Sequence, residues 1–230
     1  LTCEVERMTK YEFGLDTFGD VAIDDKTGKT MTYGESIRHI IAEGKLADEL
    51  GINVFALGEH HRDEFSISSP EIVLGAIGQV TEQIRLGTAV TVLSSDDPVR
   101  VYERFATLDG ISDGRTEIML GRGSFTESYP LFGYDLQDYD ELFDEKITLW
   151  SELLKGGKIN WKGNHTQKIT DTEIYPKVDP GHQIRTTVGV GGTPESIVRA
   201  VNFGFPVMLA IIGGQPTRFK PYVDLYHRAT

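Results

Sequence analysis

Short apolar runs alternate six times with helix-length amphipathic segments along this chain. The runs cover residues 11–15, 53–58, 85–93, 115–120, 185–190 and 207–212. Connections this long suit parallel strands joined by right-handed helical crossovers. Two runs, 53–58 and 207–212, are almost wholly apolar, as strands covered on both faces should be. Two architectures satisfy the rhythm: an open doubly wound sheet and a TIM-type (β/α)8 barrel. Residue types suited to ligand chemistry follow the second, third, fourth and fifth runs. A barrel gathers all its strand ends around one mouth, whereas an open sheet gathers mainly those beside its switch point. The expectation is therefore an α/β chain with a barrel-type fold. A complete barrel takes about 250 residues, so 230 residues with six units read as one domain, 1–230, incomplete after the sixth βα unit.

The helices announce themselves by their caps. Thr32-Tyr33-Gly34-Glu35 is a capping box, and Ile37, Ile40, Ile41, Gly44 and Ala47 follow at helical spacing up to Leu50-Gly51. Pro70 opens a second helix, with Ile72, Val73, Ala76, Ile77 and Val80 expected on one side. Asp97-Pro98 supplies a cap and a first-turn proline for a third, whose inward positions are Val101, Phe105 and Leu108. A long fourth helix covers 139–154. Residues 156–184 break the rhythm and suggest a loop or short hairpin. Helices over 194–203 and 216–227 complete the pattern.

A net charge of −12 disfavours nucleic acid, where affinity comes from neutralising phosphates. The single cysteine, Cys3, allows no intrachain disulfide and no cysteine-based zinc site, which fits the cytoplasm. No apolar run approaches the roughly 18 residues of a membrane span. The chain starts without Met, and Met8 precedes the first run, so residues 1–7 read as upstream or added sequence.

Three strand ends carry chemistry. In Gly191-Gly192-Thr193-Pro194-Glu195-Ser196, Thr193 is the expected cap, Pro194 the first helical residue, and Ser196 faces back to the helix entrance. Unpaired N–H groups and the positive dipole end suit an anion there. A plain, well-capped helix start would need the same residues. In Gly121-Arg122-Gly123, glycines allow close approach and the guanidinium suits a phosphate. Taken alone, it also fits a surface arginine in a turn. In Glu59-His60-His61, adjacent histidines on an extended chain point to opposite sides. One of them is expected to face the mouth as a general acid or base. The alternative is a structural histidine bonded to Glu59 or Asp63. The spacing fits no metal motif. Thr91 to Ser95 could contact a ring system or simply cap the next helix. Tyr129, Phe132 and Tyr134 could wall a pocket or form a satellite cluster.

Together these residues resemble the bacterial luciferase-like family of flavin-dependent monooxygenases. The resemblance rests on Ala56-Leu57-Gly58-Glu59-His60-His61, Asp97-Pro98-Val99-Arg100, Ala106-Thr107-Leu108-Asp109, Ser112-Asp113-Gly114-Arg115, Leu120-Gly121-Arg122-Gly123, and Gly191 to Ser196 with Gly204-Phe205-Pro206. It implies a TIM-type barrel binding FMN at its mouth, usually as a homodimer built on helices two and three. Arg122, the backbone around Gly192 and Thr193, and Ser196 would hold the phosphate. His61 would be the flavin-side histidine and manage protons. Leu93 and Ser94 would lie under the ring, with a non-proline cis peptide nearby. The implied activity is oxidation of a small organic substrate by O2 through a C4a-peroxyflavin, with FMN reduced by a separate NAD(P)H:flavin reductase. The absence of the family's last two strands and shielding loop leaves a non-catalytic flavin-binding protein as a rival. A deazaflavin-dependent oxidoreductase is another.

Overall fold

A computed structural model describes residues 11–212 and 215–230. The expectations for Cys3, Met8 and residues 1–7 lie outside the described residues. The elements in chain order are β1 (Gly14–Thr17), α1 (Tyr33–Glu49), β2 (Val54–Leu57), α2 (Pro70–Gly78), β3 (Arg85–Val92), α3 (Pro98–Ser112), β4 (Glu117–Gly121) and a short α4 (Ser128–Leu131). They continue with α5 (Tyr139–Lys155), β5 (Lys158–Trp161), β6 (Ile169–Glu173), β7 (Arg185–Val190), α6 (Pro194–Asn202), β8 (Val207–Leu209) and α7 (Lys220–Ala229).

Among the described residues, six strands form a curled, all-parallel sheet in the order β1-β2-β3-β4-β7-β8. The order never reverses, so there is no switch point, and the winding is that of a barrel left open between β1 and β8. β5 and β6 form the expected hairpin, antiparallel and apart from the main sheet.

The two faces of the sheet differ sharply. Phe55, Leu57, Leu86, Ile118, Leu120, Val188 and Val190 alternate onto the outer face, none more than 3 % exposed. There they share one core with Ile40 of α1, Leu74 and Ile77 of α2, Val101 and Phe105 of α3, Trp150 of α5 and Ile197 of α6. Each such side chain contributes about 1.5–3 kcal/mol by burial. The inner face carries Ala56, Gly87, Met119, Gly121, Thr187 and Gly189. Its glycines are close-packed: a Cβ on Gly121 or Gly189 would meet Val90, and one on Gly87 would meet Glu117. A bulge in β3 shifts its register against β4 between Ala89 and Thr91. Thr88 and Thr91 thereby share the outer face, with their hydroxyls 2.9 Å apart. The non-proline cis peptide lies at this bulge, between Ala89 and Val90, rather than in the Leu93–Ser95 turn.

The capping box at Thr32 and Glu35 forms, and Asp97 caps α3 through the Val99 N–H at 2.8 Å. Three expectations are corrected. β1 starts at Gly14, because the Phe13 N–H is taken by the Asn53 side chain and pairing with β2 begins one residue later. β8 stops at Leu209, because the Ile211 N–H turns back to the Leu209 carbonyl at the edge of the sheet formed by the described residues. On α2, Val73, Leu74 and Ile77 form the buried stripe, whereas Ile72, 74 % exposed, and Ala76 face outward, and Val80, beyond the helix end, is 45 % exposed.

Candidate functional site

The carboxyl ends of the parallel strands share one rim. Arg122 leaves the end of β4, and Gly191 to Ser196 lead from β7 into α6. The fold brings these segments together: Arg122 Nη2 donates to Ser196 Oγ at 3.3 Å, and the Thr193 and Ser196 hydroxyls lie 2.7 Å apart. Thr193 is the extended cap and Pro194 the first helical residue, as the sequence predicts. The Thr193 side chain bonds Ser196 Oγ rather than a first-turn N–H, Pro194 has no N–H, and the Ser196 N–H donates to the Thr193 carbonyl at 3.2 Å. Gly192 sits at φ +124°, a conformation that favours glycine, and a Cβ on Gly191 would meet nothing within 4 Å. Tyr222 of α7 donates to the Gly192 carbonyl at 2.5 Å and pins this turn. Arg122 also pairs with Asp140 at 2.5 Å and lies over the Tyr139 ring. Tyr129 and Tyr139, stacked on one another, donate to the carbonyls of Arg122 and Gly123. Burial pushes the Tyr129 hydroxyl up to about 12, which keeps it a donor.

The donor set fits a phosphate monoester: one guanidinium, two hydroxyls and the positive end of α6 around glycines that leave room.

The histidines diverge as an extended chain requires. His60 turns into an aromatic group, 4.3 Å from the Phe65 ring, 5.0 Å from Phe18 and 5.0 Å from Phe125. Those rings come from beyond β1, β2 and β4, so His60 reaches across the strand ends. Burial lowers its pKa. His61 turns toward α2 and α3. Its Nε2 lies 3.0 Å from Glu59 Oε1, and Glu59 Oε2 accepts the Val92 N–H at 2.9 Å. The hydrogen bond to Glu59 raises the His61 pKa. His61 also borders a cavity of about 320 Å³ lined by Glu71, Asp96, Arg104 and Phe132. Arg104 pairs with Asp96 and lies 3.4 Å from Glu71, whose pKa burial raises. A second cavity, of about 360 Å³, lies between Tyr102 of α3, Leu153 of α5, Ile159 of the hairpin and His182. Its lining includes none of the candidate site residues.

Leu93 and Ser94 form a tight turn directly after β3 and are fully buried. The Ser94 carbonyl accepts Lys146 Nζ at 2.6 Å. Sequence reasoning did not single out Lys146, Glu71, Arg104, Asp140 or Tyr222. For Lys146 the signal was present: it is a lysine at a position facing inward on the α5 stripe.

Residues 13–230 match the luciferase-like monooxygenase family. The N-acetyl-S-alkylcysteine monooxygenase of Bacillus subtilis is 26% identical over 200 residues, covering 84% of this chain and 57% of that protein. Limonene 1,2-monooxygenase of Rhodococcus erythropolis is 30% identical over 162 residues, covering 70% of this chain and 41% of its own. The chain thus spans about two fifths to three fifths of the length of these curated relatives. Among solved structures, the monooxygenase RslO1 from Streptomyces bottropensis superposes with a TM-score of 0.83 at 23% identity, over 95% of this chain and 65% of that one. The oxygenating constituent of 3,6-diketocamphane monooxygenase from Pseudomonas putida, in complex with FMN, gives 0.77 at 17% identity, over 95% and 62%. An F420-dependent secondary alcohol dehydrogenase, in complex with an F420-acetone adduct, gives 0.75 at 16% identity, over 96% and 64%. At these identities the structural likeness speaks for the fold.

Proposed function

The chain belongs to the luciferase-like monooxygenase family, and on that premise we propose that it binds FMN at the strand-end mouth and oxidises a small organic substrate with O2. The observation that supports this most is the convergence of Arg122, Thr193 and Ser196 at the start of α6. Arg122, the two hydroxyls and the backbone at Gly192 would hold the phosphate; Leu93 and Ser94, the ring contacts the resemblance implies, are fully buried and present no surface to a ring. When bound and reduced, FMN supplies the oxygen activation. A separate NAD(P)H:flavin reductase is the proposed source of reduced cofactor.

The chain's own residues orient the ring, exclude water and handle protons. His60 is one candidate for the flavin-side group, supported by its place among Phe18, Phe65 and Phe125. His61, the residue the family resemblance names, is the other, supported by its bond to Glu59. A homodimer on α2 and α3 is in keeping with the exposed Ile72 and Ile111. Among the described residues, no helix is long and apolar enough to cross a membrane. A cytoplasmic location remains part of the proposal, on the strength of the lone Cys3. A deazaflavin in place of FMN is the second reading, favoured by the F420-dependent structural relative.

The test is O2 consumption with NADPH, FMN and an added flavin reductase across a panel of small organic substrates. The proposal predicts substrate-dependent uptake with an oxygenated product, lost in His60→Ala or in His61→Ala, whichever faces the ring. Peroxide release with every substrate would favour a flavin-binding protein without oxygenase activity. Turnover only with F420 would favour the deazaflavin reading.

A further inference from the structure

The Arg122 guanidinium is divided between two partners. Its Nη2 donates to Ser196 Oγ at 3.3 Å, and its Nη1 pairs with Asp140 Oδ1 at 2.5 Å. Ser196 belongs to the cradle's own donors; Asp140 brings a negative charge. Asp140 lies in the first turn of α5 with its side chain 70 % exposed, whereas that of Arg122 is 22 % exposed. The arginine does not need the carboxylate to stay in place. Its guanidinium lies 4.9 Å from the centre of the Tyr139 ring, and its carbonyl accepts the Tyr129 hydroxyl at 3.1 Å. Tyr139 is itself tied to the Gly123 carbonyl at 3.3 Å and stacked on Tyr129. A phosphate monoester carries close to two negative charges at neutral pH. In this cradle it would share one guanidinium with the Asp140 carboxylate, and like charges a few ångströms apart repel.

We propose that Asp140 sets how tightly the cradle holds a phosphate: its carboxylate occupies the Nη1 edge of Arg122 as a built-in competing anion, so that neutralising it strengthens binding. This rests on the phosphate reading above. Asp140 is a positioning residue, acting through Arg122 and not on the flavin ring. A carboxylate that merely oriented Arg122 would have the opposite signature, because its removal would weaken binding. One turn further along α5, Asp144 pairs with Arg199 of α6. That pair has the same chemistry but serves a different arginine, which makes Asp144 the control for charge alone. Because Asp140 is exposed, its competition should be screened by salt.

The experiment titrates the full chain, Asp140→Asn, Asp140→Glu and Asp144→Asn with FMN and with riboflavin at neutral pH, in about 20 mM and about 0.5 M salt, alongside ligand-free melts. Asp140→Asn should bind FMN about threefold to tenfold more tightly than wild type in low salt, with riboflavin binding unchanged. In high salt the gain should shrink to less than about twofold. Asp140→Glu keeps the charge, and Asp144→Asn removes one that does not touch Arg122; both should stay within about twofold of wild type. The Tm of Asp140→Asn should equal or fall slightly below that of wild type, because a first-turn carboxylate suits the helix dipole. Tighter binding by a chain that is no more stable cannot come from a firmer fold. Unchanged or weaker FMN binding in Asp140→Asn overturns the proposal, as does an equal gain in Asp140→Glu, in Asp144→Asn or for riboflavin. If wild type shows no preference for FMN over riboflavin, the phosphate reading falls and this proposal with it. If the preference is present and Asp140→Asn does not increase it, only this proposal falls.

Discussion

The two sides of the mouth are built in opposite ways. On the cradle side, groups from three separate segments already bond to one another: Arg122 to Ser196, Thr193 to Ser196, and Tyr222 to the Gly192 carbonyl. On the histidine side, one tripeptide sends its groups apart: Glu59 to the Val92 N–H, His60 into an aromatic group and His61 toward a polar cavity. The cradle is pre-organised, so an anion would meet donors already positioned, in exchange for the bonds that Arg122 makes to Asp140 and the two hydroxyls make to each other. The histidine side is tuned by surroundings instead. Burial lowers the pKa of His60, while the Glu59 carboxylate raises that of His61 one residue later. Two identical side chains are thereby shifted in opposite directions.

The change that would break this contrast most severely is Arg122→Ala. It removes a charge-assisted donor from the cradle and should weaken FMN binding about tenfold to a hundredfold, with riboflavin binding unchanged. Equal losses for both flavins would mean that Arg122 serves the fold or the ring. A smaller effect should come from Glu59→Gln, read as melting temperature between pH 5 and 8. The folded-state pKa of His61 is raised, so its contribution to stability is fully present below 6.5 and is lost as pH rises through the folded value. That of His60 is lowered, so its charging penalty weighs on the fold at low pH and is relieved as pH rises toward 6.5. Glu59→Gln removes the first contribution and deepens the second, because the Glu59 charge also favours protonated His60. Its Tm deficit should therefore be largest at pH 5 and shrink by pH 8; a deficit independent of pH would show that Glu59 acts only through the Val92 N–H. The smallest effect is Ser196→Ala, which should cost about threefold to fivefold in FMN affinity and nothing for riboflavin.

The same contrast governs how much could be read from the residues. The parts of the proposed cradle were legible because they are local: a helix start after two glycines and an arginine between glycines, which the fold brings together. The order of strands and helices was legible from Thr32, Pro70 and Asp97-Pro98, whose cap and first-turn roles depend on few distant partners. The two directions of the histidines followed from alternation, but which ring meets Phe65 and which meets Glu59 depends on how the chain bends after Gly58. The start of β1 depended on the Asn53 side chain taking the Phe13 N–H, a contact across 40 residues. The outward turn of Ile72 and the partners of Lys146 are likewise set by neighbouring elements.

The central claim is that Arg122, Thr193 and Ser196 form a phosphate cradle for a flavin. Fluorescence titration of the wild-type chain with FMN and riboflavin tests it most directly. The account predicts FMN binding at least about tenfold tighter than riboflavin binding, the difference being the phosphate contacts. Equal affinity for the two flavins, or no binding of either by a folded chain, would contradict it.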